Sequence, residues 1–250
     1  MRAPHTHNMA ENNAKKLRVV IVGAGFCGLT AAIECKLRGL HPVLVEAYPG
    51  PSSHGDLLDF VRNAGRVFQS WDNGAVGRRL MAAGVNSAKY LEFFNSNDEP
   101  LRTDPWPQAT DEDCVYAGHR GEMHRIIFEY AEEIGVEMQL GRRVEKYLDT
   151  DEERGVIVRS REDTSRTERI LGDVVLACDG PRSLARSELL KLPESKVSSG
   201  YAIFRAYFTV TDEMRQSSEF SKMIQGEHDY VRFWVGRDMH GFIYTWNHGR

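Results

Sequence analysis

The chain has 250 residues, of which 41% are hydrophobic and 27% charged, with a formal charge of −4 and four cysteines. This is ordinary composition for one large or two small globular domains. The acidic balance argues against a nucleic-acid partner, and no apolar run approaches the about 20 residues of a membrane-spanning helix.

The first 16 residues are polar and contain His5, His7 and three Asn. They read as a disordered lead-in with no signal-peptide pattern, and two isolated His make no metal site. Cys27, Cys35, Cys114 and Cys178 show no CxxC pair and no metal-ligand spacing, so a reduced, cytoplasmic setting and no bound metal are expected.

The most informative unit spans residues 15–46. Leu17, Val19, Val20, Ile21 and Val22 form a short apolar run, as in a strand buried on both faces. It stops at Gly23-Ala24-Gly25-Phe26-Cys27-Gly28. A helix follows, with Leu29, Ala32, Ile33 and Leu37 at helical spacing and Gly39 at its end. A second strand, Val43-Leu44-Val45, delivers Glu46. The pattern is that of a dinucleotide-binding βαβ: Gly23 for the tight turn, Gly25 for close approach of a pyrophosphate, Gly28 for helix–strand packing. The helix N-terminus then offers N–H groups and a positive dipole end to the phosphates. Glu46 suits ribose hydroxyls and repels a 2′-phosphate, which selects FAD or NAD over NADP at this turn. A plain strand-to-helix turn would not call for an acid at the end of the second strand.

Residues 49–55 are a loop by composition. Leu57, Leu58 and Phe60 form a short strand, residues 63–70 a helix, Asp72-Asn73-Gly74 a turn and residues 76–83 a second helix. Residues 90–94 read as a strand, 95–100 as its turn and 103–113 as an irregular connection. Met123, Ile126, Ile127, Tyr130, Ala131 and Ile134 mark an amphipathic helix that starts at Arg120 and closes at Gly135. A strand at 136–140 precedes an antiparallel meander of segments 144–148, 155–160 and 166–170. Another buried strand, 173–178, ends at Asp179-Gly180, and aromatic strands are expected at 201–210, 230–235 and 241–246.

These residues carry a family likeness. The Gly23–Gly28 turn with Glu46, Arg120 opening its helix, and Cys178-Asp179-Gly180-Pro181-Arg182-Ser183 resemble, in that order, three motifs of single-component FAD-dependent aromatic hydroxylases, the group of salicylate and p-hydroxybenzoate hydroxylases. The likeness runs from about residue 17 to the end. It implies an α/β fold: a Rossmann-like FAD-binding domain (17–80 and 106–190) with an antiparallel β-meander, and a partial, mostly β substrate domain (81–105 and 191–250).

It also implies a monooxygenase of secondary metabolism that uses FAD, NAD(P)H and O₂ to hydroxylate an aromatic or polyketide-like small molecule. The implied cofactor-binding residues are Gly23, Gly25, Gly28, Glu46, Arg120, Asp179 and Gly180. The Arg is placed at the phosphate–ribityl region, and the Asp-Gly pair is associated with FAD and the nicotinamide donor. No catalytic base is identified: His119, His124 and His240 qualify by type only. Arg205 lies in a segment resembling the first long substrate-domain strand, and Trp234 and Trp246 are candidates for pocket lining. The family's later Gly-Asp motif has no counterpart before Arg250; a fragment or truncated product is the favoured expectation, with a missing part supplied by another chain as the alternative. Two other readings stay open: a flavin-binding remnant with little turnover, and an FAD or NAD oxidoreductase of another type.

Overall fold

The computed structural model describes residues 16–107, 114–193, 196–224 and 227–247. The expected lead-in and part of the 103–113 connection lie outside these residues. The chain divides into two compact units, one from sequence spans 1–49 and 131–193, the other from 50–130 and 194–250.

In the first unit, β1 (Arg18–Val22), α1 (Phe26–Leu37) and β2 (His41–Val45) form the expected βαβ. The parallel sheet has the order β11-β1-β2-β7, with β7 at Glu137–Gln139 and β11 at Val174–Ala177. Strand alternation splits its apolar residues between two faces. Val20 and Val22 join Val43 and Val45 in one core cluster with Tyr147, Val156, Val158, Ile170 and Ala185. Those partners come from the antiparallel meander β8 (Arg142–Asp149), β9 (Arg154–Ser160) and β10 (Thr167–Leu171), and from the short helix α5 (Leu184–Glu188). On the other face, α1 packs on β1 and β2 and contributes fully buried Leu29 and Ile33. Each such side chain contributes about 1.5–3 kcal/mol on leaving water.

Asp179 follows β11 and holds the start of α5. Its Oδ2 accepts from the N–H groups of Leu184 (2.8 Å) and Ala185 (3.3 Å) and from the Tyr147 hydroxyl (3.0 Å). Burial works to raise the Asp179 carboxyl, but hydrogen bonds from Ser183, Ala185 and Tyr147 outweigh it and hold the group below the usual range.

In the second unit, β3 (Leu57–Phe60) pairs antiparallel with β6 (Tyr116–His119). A four-stranded sheet has the order β13-β12-β4-β5, from β4 (Tyr90–Asn95), β5 (Pro100–Pro105), β12 (Val231–Gly236) and β13 (Met239–Tyr244). Strands β12 and β4 run parallel, while their outer partners run antiparallel. Helices α2 (Arg62–Ser70) and α3 (Ala75–Ala82) flank a 3₁₀ turn, Trp71–Gly74. Phe68 and Trp71 pack with Phe60, Tyr116 and Tyr130 as an aromatic core. Gly65 is required here: a Cβ would sit 1.6 Å from the Cys114 carbonyl oxygen. Helix α4 (Arg120–Glu133) matches the expected amphipathic helix, and α6 (Asp212–Gln216) and α7 (Ser218–Ile224) complete the described helices.

Several expectations need correction. Residues 201–210 form no strand; Tyr201 and Phe204 are exposed, and no described strand offers this segment a hydrogen-bond ladder. The 173–178 strand is an edge, with one neighbour and Val174 41% exposed, so it is not buried on both faces. Leu37 is exposed although it falls at helical spacing. The connection expected from 103 begins after β5, which pairs with β4 through Pro105. Strand β6 and helices α5, α6 and α7 were not foreseen: each has only four to seven residues, too few for a periodic pattern to stand out.

Ile33→Ala should cost about 2–5 kcal/mol in urea unfolding, the range for a large-to-small change in a packed core. A cost under about 0.5 kcal/mol would contradict the placement of α1 on the sheet. Asp179→Ala should cost about 1–3 kcal/mol through the hydrogen bonds lost by the Tyr147 hydroxyl and the Leu184 and Ala185 N–H groups. Because the folded carboxyl is held low, this difference is complete above the ordinary Asp range, about 3.9, and shrinks as pH falls through the lower folded value. An equal difference at neutral and strongly acid pH would show that the charge contributes nothing.

Candidate functional site

The site in the first unit is built by backbone crowding on two sides of an open position. Gly23 adopts a left-handed φ of +99°, and a Cβ there would meet the Cys178 carbonyl oxygen at 2.5 Å. Its N–H donates to the Val45 carbonyl at 2.8 Å, and the Cys178 N–H donates to the Val22 carbonyl at 2.9 Å. A Cβ at Gly28 would come within 1.8 Å of the Gly23 carbonyl oxygen. The turn therefore sits at the C-terminal edges of β1, β2 and β11, where open α/β sheets take ligands.

Gly25 is the contrast. No atom of the described residues lies within 4 Å of the Cβ position there, and its backbone is extended at φ −71°, ψ 176°. It is the N-cap of α1 and, being glycine, supplies no capping side chain of its own. A helix start leaves its first N–H groups without intrahelical acceptors and carries a partial positive charge. The residues thus fit a dinucleotide pyrophosphate: room at Gly25, N–H groups behind it, and no room for anything but glycine at Gly23 and Gly28.

Glu46, just beyond β2, is half-buried. Its Oε2 accepts from the Ala24 N–H at 2.7 Å and its Oε1 from the Tyr48 N–H at 2.9 Å. The carboxylate therefore braces the glycine-rich turn, and each oxygen retains a second lone pair for a ribose hydroxyl. Beside it opens a cleft of about 500 Å³ lined by Pro49, Leu140, Gly141, Arg142, Ser160, Arg161 and Glu162. The Arg161 guanidinium lies 4.8 Å from the centre of the Tyr48 ring. Asp179 and Gly180 join the same edge through β11. Asp179 Oδ1 is buried with no hydrogen-bond partner among the described residues, and Gly180 has φ +76° with open space at its Cβ position. Sequence reasoning missed Tyr147, whose hydroxyl holds Asp179; it lies 32 residues away inside an ordinary β-pattern and left no local signal.

Arg120 belongs to the second unit. It opens α4, is exposed, and its N–H donates to the Asp56 carbonyl at 2.9 Å. Arg205 forms an ion pair with the Asp56 carboxylate. The Arg205 hydrogen bond is the largest cause holding the Asp56 carboxyl low, and Arg120 adds a smaller charge effect. Asp56 was not singled out from sequence, where it is one loop acid among several.

His119 spends both ring nitrogens on backbone: Nδ1 accepts from the Glu122 N–H at 3.3 Å, and Nε2 lies 3.1 Å from the Gly55 carbonyl. That pattern suits a ring with its proton on Nε2 and a role at the start of α4. His124 packs near Phe128 on α4, and His240 sits exposed on β13. The Trp234 indole donates to Asp98 at 2.8 Å, and that of Trp246 to the Gly84 carbonyl at 2.7 Å. Among the described residues no group of three His, Cys, Asp or Glu is placed to hold a metal, and no helix is long and apolar enough to cross a membrane.

Comparison with known proteins agrees with this geometry. Residues 16–245 match the FAD binding domain family. The chain is 33% identical over 227 residues to an FAD-dependent monooxygenase, notI, of Aspergillus sp. (strain MF297-2), covering 89% of this chain and 50% of that protein. It is 28% identical over 246 residues to asperlicin C monooxygenase of Petromyces alliaceus, covering 96% and 50%. Among solved structures it is similar to CtdE in complex with FAD, with a TM-score of 0.76 and 27% identity over 94% of this chain and 57% of that one. The chain spans about half the length of the curated relatives it matches. With its glycine-rich turn, its Asp-Gly strand end and a match over nearly its whole length, the chain belongs to the FAD binding domain family.

Proposed function

We propose that this protein is an FAD-dependent monooxygenase that uses NAD(P)H and O₂ to hydroxylate an aromatic or polyketide-like small molecule. The observation that carries the proposal is the open position at Gly25 in front of the start of α1, flanked by two glycines that tolerate no side chain. FAD, when bound, would supply the redox chemistry, acceptance of hydride from NAD(P)H and activation of O₂. The chain's own residues bind and orient. Backbone N–H groups at the start of α1 hold the pyrophosphate, with Gly25 allowing its approach. Glu46 keeps the turn in shape through Ala24 and Tyr48 and would accept from the ribose hydroxyls of the cofactor. Asp179, positioned by Tyr147 and the start of α5, offers the unpartnered Oδ1 as an acceptor. Gly23, Gly28 and Gly180 shape the backbone around these groups. Arg120 enters the cofactor-binding set from the resemblance.

Residues 17–80 and 106–190 are proposed as the FAD-binding domain, and 81–105 and 191–250 as part of a substrate domain. The names of the relatives support small-molecule substrates of secondary metabolism: notI is an FAD-dependent monooxygenase, and a second relative is named for asperlicin C.

The test is FAD binding followed by turnover. The purified chain should bind FAD, read as a shifted visible flavin spectrum. Gly25→Val should weaken binding at least about 100-fold, because it fills the pyrophosphate position (about 2.7 kcal/mol or more). Its Cβ meets no described atom, so the variant should still fold, with the thermal midpoint lowered only modestly by the poorer N-cap residue. Normal flavin content in Gly25→Val would overturn the site. With an arene substrate, one atom of labelled O₂ should enter the product for each NAD(P)H consumed. Peroxide release with no labelled product would identify an oxidase instead, and hydride transfer without bound flavin a dehydrogenase.

A further inference from the structure

The four cysteines show no paired spacing in sequence, yet the fold brings two of them together at the glycine-rich turn. Cys27 lies in the first turn of α1 and Cys178 just after β11, 151 residues apart, with their sulfurs 3.4 Å from each other. Cys27 is exposed and Cys178 half-buried, and both are free thiols. The approach has a structural cause. Gly23 and Gly28 let the turn lie directly against the backbone of Cys178, and the Cβ position of Gly28 is 3.4 Å from the Cys178 Cβ. The neighbouring backbone is pinned on both sides, by the Gly23 N–H to the Val45 carbonyl and the Cys178 N–H to the Val22 carbonyl. The two thiols are therefore held in register by the sheet.

We propose that Cys27 and Cys178 are a modification site: a vicinal dithiol in space that hydrogen peroxide converts to a reversible disulfide. Exposed Cys27 reacts first. Its thiolate attacks one peroxide oxygen and breaks the O–O bond, giving Cys27 sulfenic acid and hydroxide. The Cys178 sulfur then attacks the sulfenic sulfur, forming the S–S bond as the S–O bond breaks. Hydroxide leaves, and the Cys178 proton goes to water. In sum, two thiols lose two electrons and two protons, and peroxide becomes two waters.

The division of roles follows from the environments. Burial, and next the contact with Cys27, pushes the Cys178 thiol up, which suits the resolving partner better than the first nucleophile. A disulfide needs the sulfurs at about 2.05 Å, so they close by roughly 1.4 Å, a distance within reach of side-chain rotation. The bridge ties the first turn of α1 to the Asp-Gly end of β11. Cys35 and Cys114 serve as internal controls: Cys114 is buried in the other unit, and burial pushes the Cys35 thiol up.

The experiment treats the purified chain with a few equivalents of hydrogen peroxide, then counts thiols after denaturation and maps peptides without reduction. Two of the four thiols should disappear, with a mass lower by about 2 Da for the two hydrogens lost. One linked peptide should join Cys27 to Cys178, and dithiothreitol should restore both thiols. Cys27→Ser, an exposed change with no packing consequence, should abolish the link and leave Cys178 reduced. The proposal is overturned if all four thiols survive a dose that oxidises a small-molecule thiol. It is also overturned if Cys27 stops at a sulfur oxyacid, or if the links formed involve Cys35, Cys114 or a second chain. None of these readouts depends on FAD, so failure here and failure of the cofactor reading are separable.

Discussion

The first unit depends on one backbone crossing where no side chain fits. The chain leaves β1 at Gly23, passes against the Cys178 carbonyl, and enters α1 with Gly28 against the Gly23 carbonyl. A methyl group at either glycine would meet backbone oxygen well inside contact distance, and backbone cannot move aside without breaking the parallel sheet that holds it. This crowding has a purpose at the position between them. Because Gly23 and Gly28 draw the helix start down onto the strand ends, Gly25 is left with open space in front of the helix dipole. The same arrangement that excludes side chains admits an anion.

The sheet beneath the crossing is covered differently on its two faces. Helix α1 seals one, and the meander with α5 seals the other around Tyr147, Val156 and Val158. Tyr147 links this second core to the site, since its ring is buried with the valines while its hydroxyl reaches Asp179. Buried polar contacts of this kind are costly unless satisfied, so the hydroxyl and carboxylate hold each other in place. Asp179 is consequently both an acceptor for the first N–H groups of α5, whose N-cap is Ser183, and a fixed acceptor at the sheet edge. These two roles use different oxygens: Oδ2 accepts from the helix N–H groups, and Oδ1 is unpartnered among the described residues.

The second unit shows a different balance. Its aromatic residues are spent on packing: Phe60, Phe68, Trp71, Tyr116 and Tyr130 form one cluster, and Trp234 and Trp246 anchor turns through their indole N–H groups. The charged groups that stand out, Asp56, Arg120 and Arg205, are arranged around the loop before β3 and the start of α4. His119 is committed to the same helix start. None of the three histidines singled out by type has the geometry of a base next to an identified substrate position, and residue type alone carried no information about this.

Local pattern was enough to determine the βαβ unit, the order of the glycines, the acid after β2, helix α4 and the meander. Each of these is encoded over a few neighbouring residues: apolar runs, a 3.6-residue period, or a glycine at a forced turn. The family followed from the same short motifs taken in order. Tertiary structure alone decided which acceptors and donors meet. It set Tyr147 on Asp179, braced Glu46 against Ala24, spent His119 on two backbone groups, and placed Cys27 against Cys178 across 151 residues. It also decided that residues 201–210, apolar and aromatic enough to read as a strand, form none, because a strand exists only where another chain segment completes its hydrogen bonds. Sequence reports what a segment prefers; whether it has a partner is a property of the whole fold.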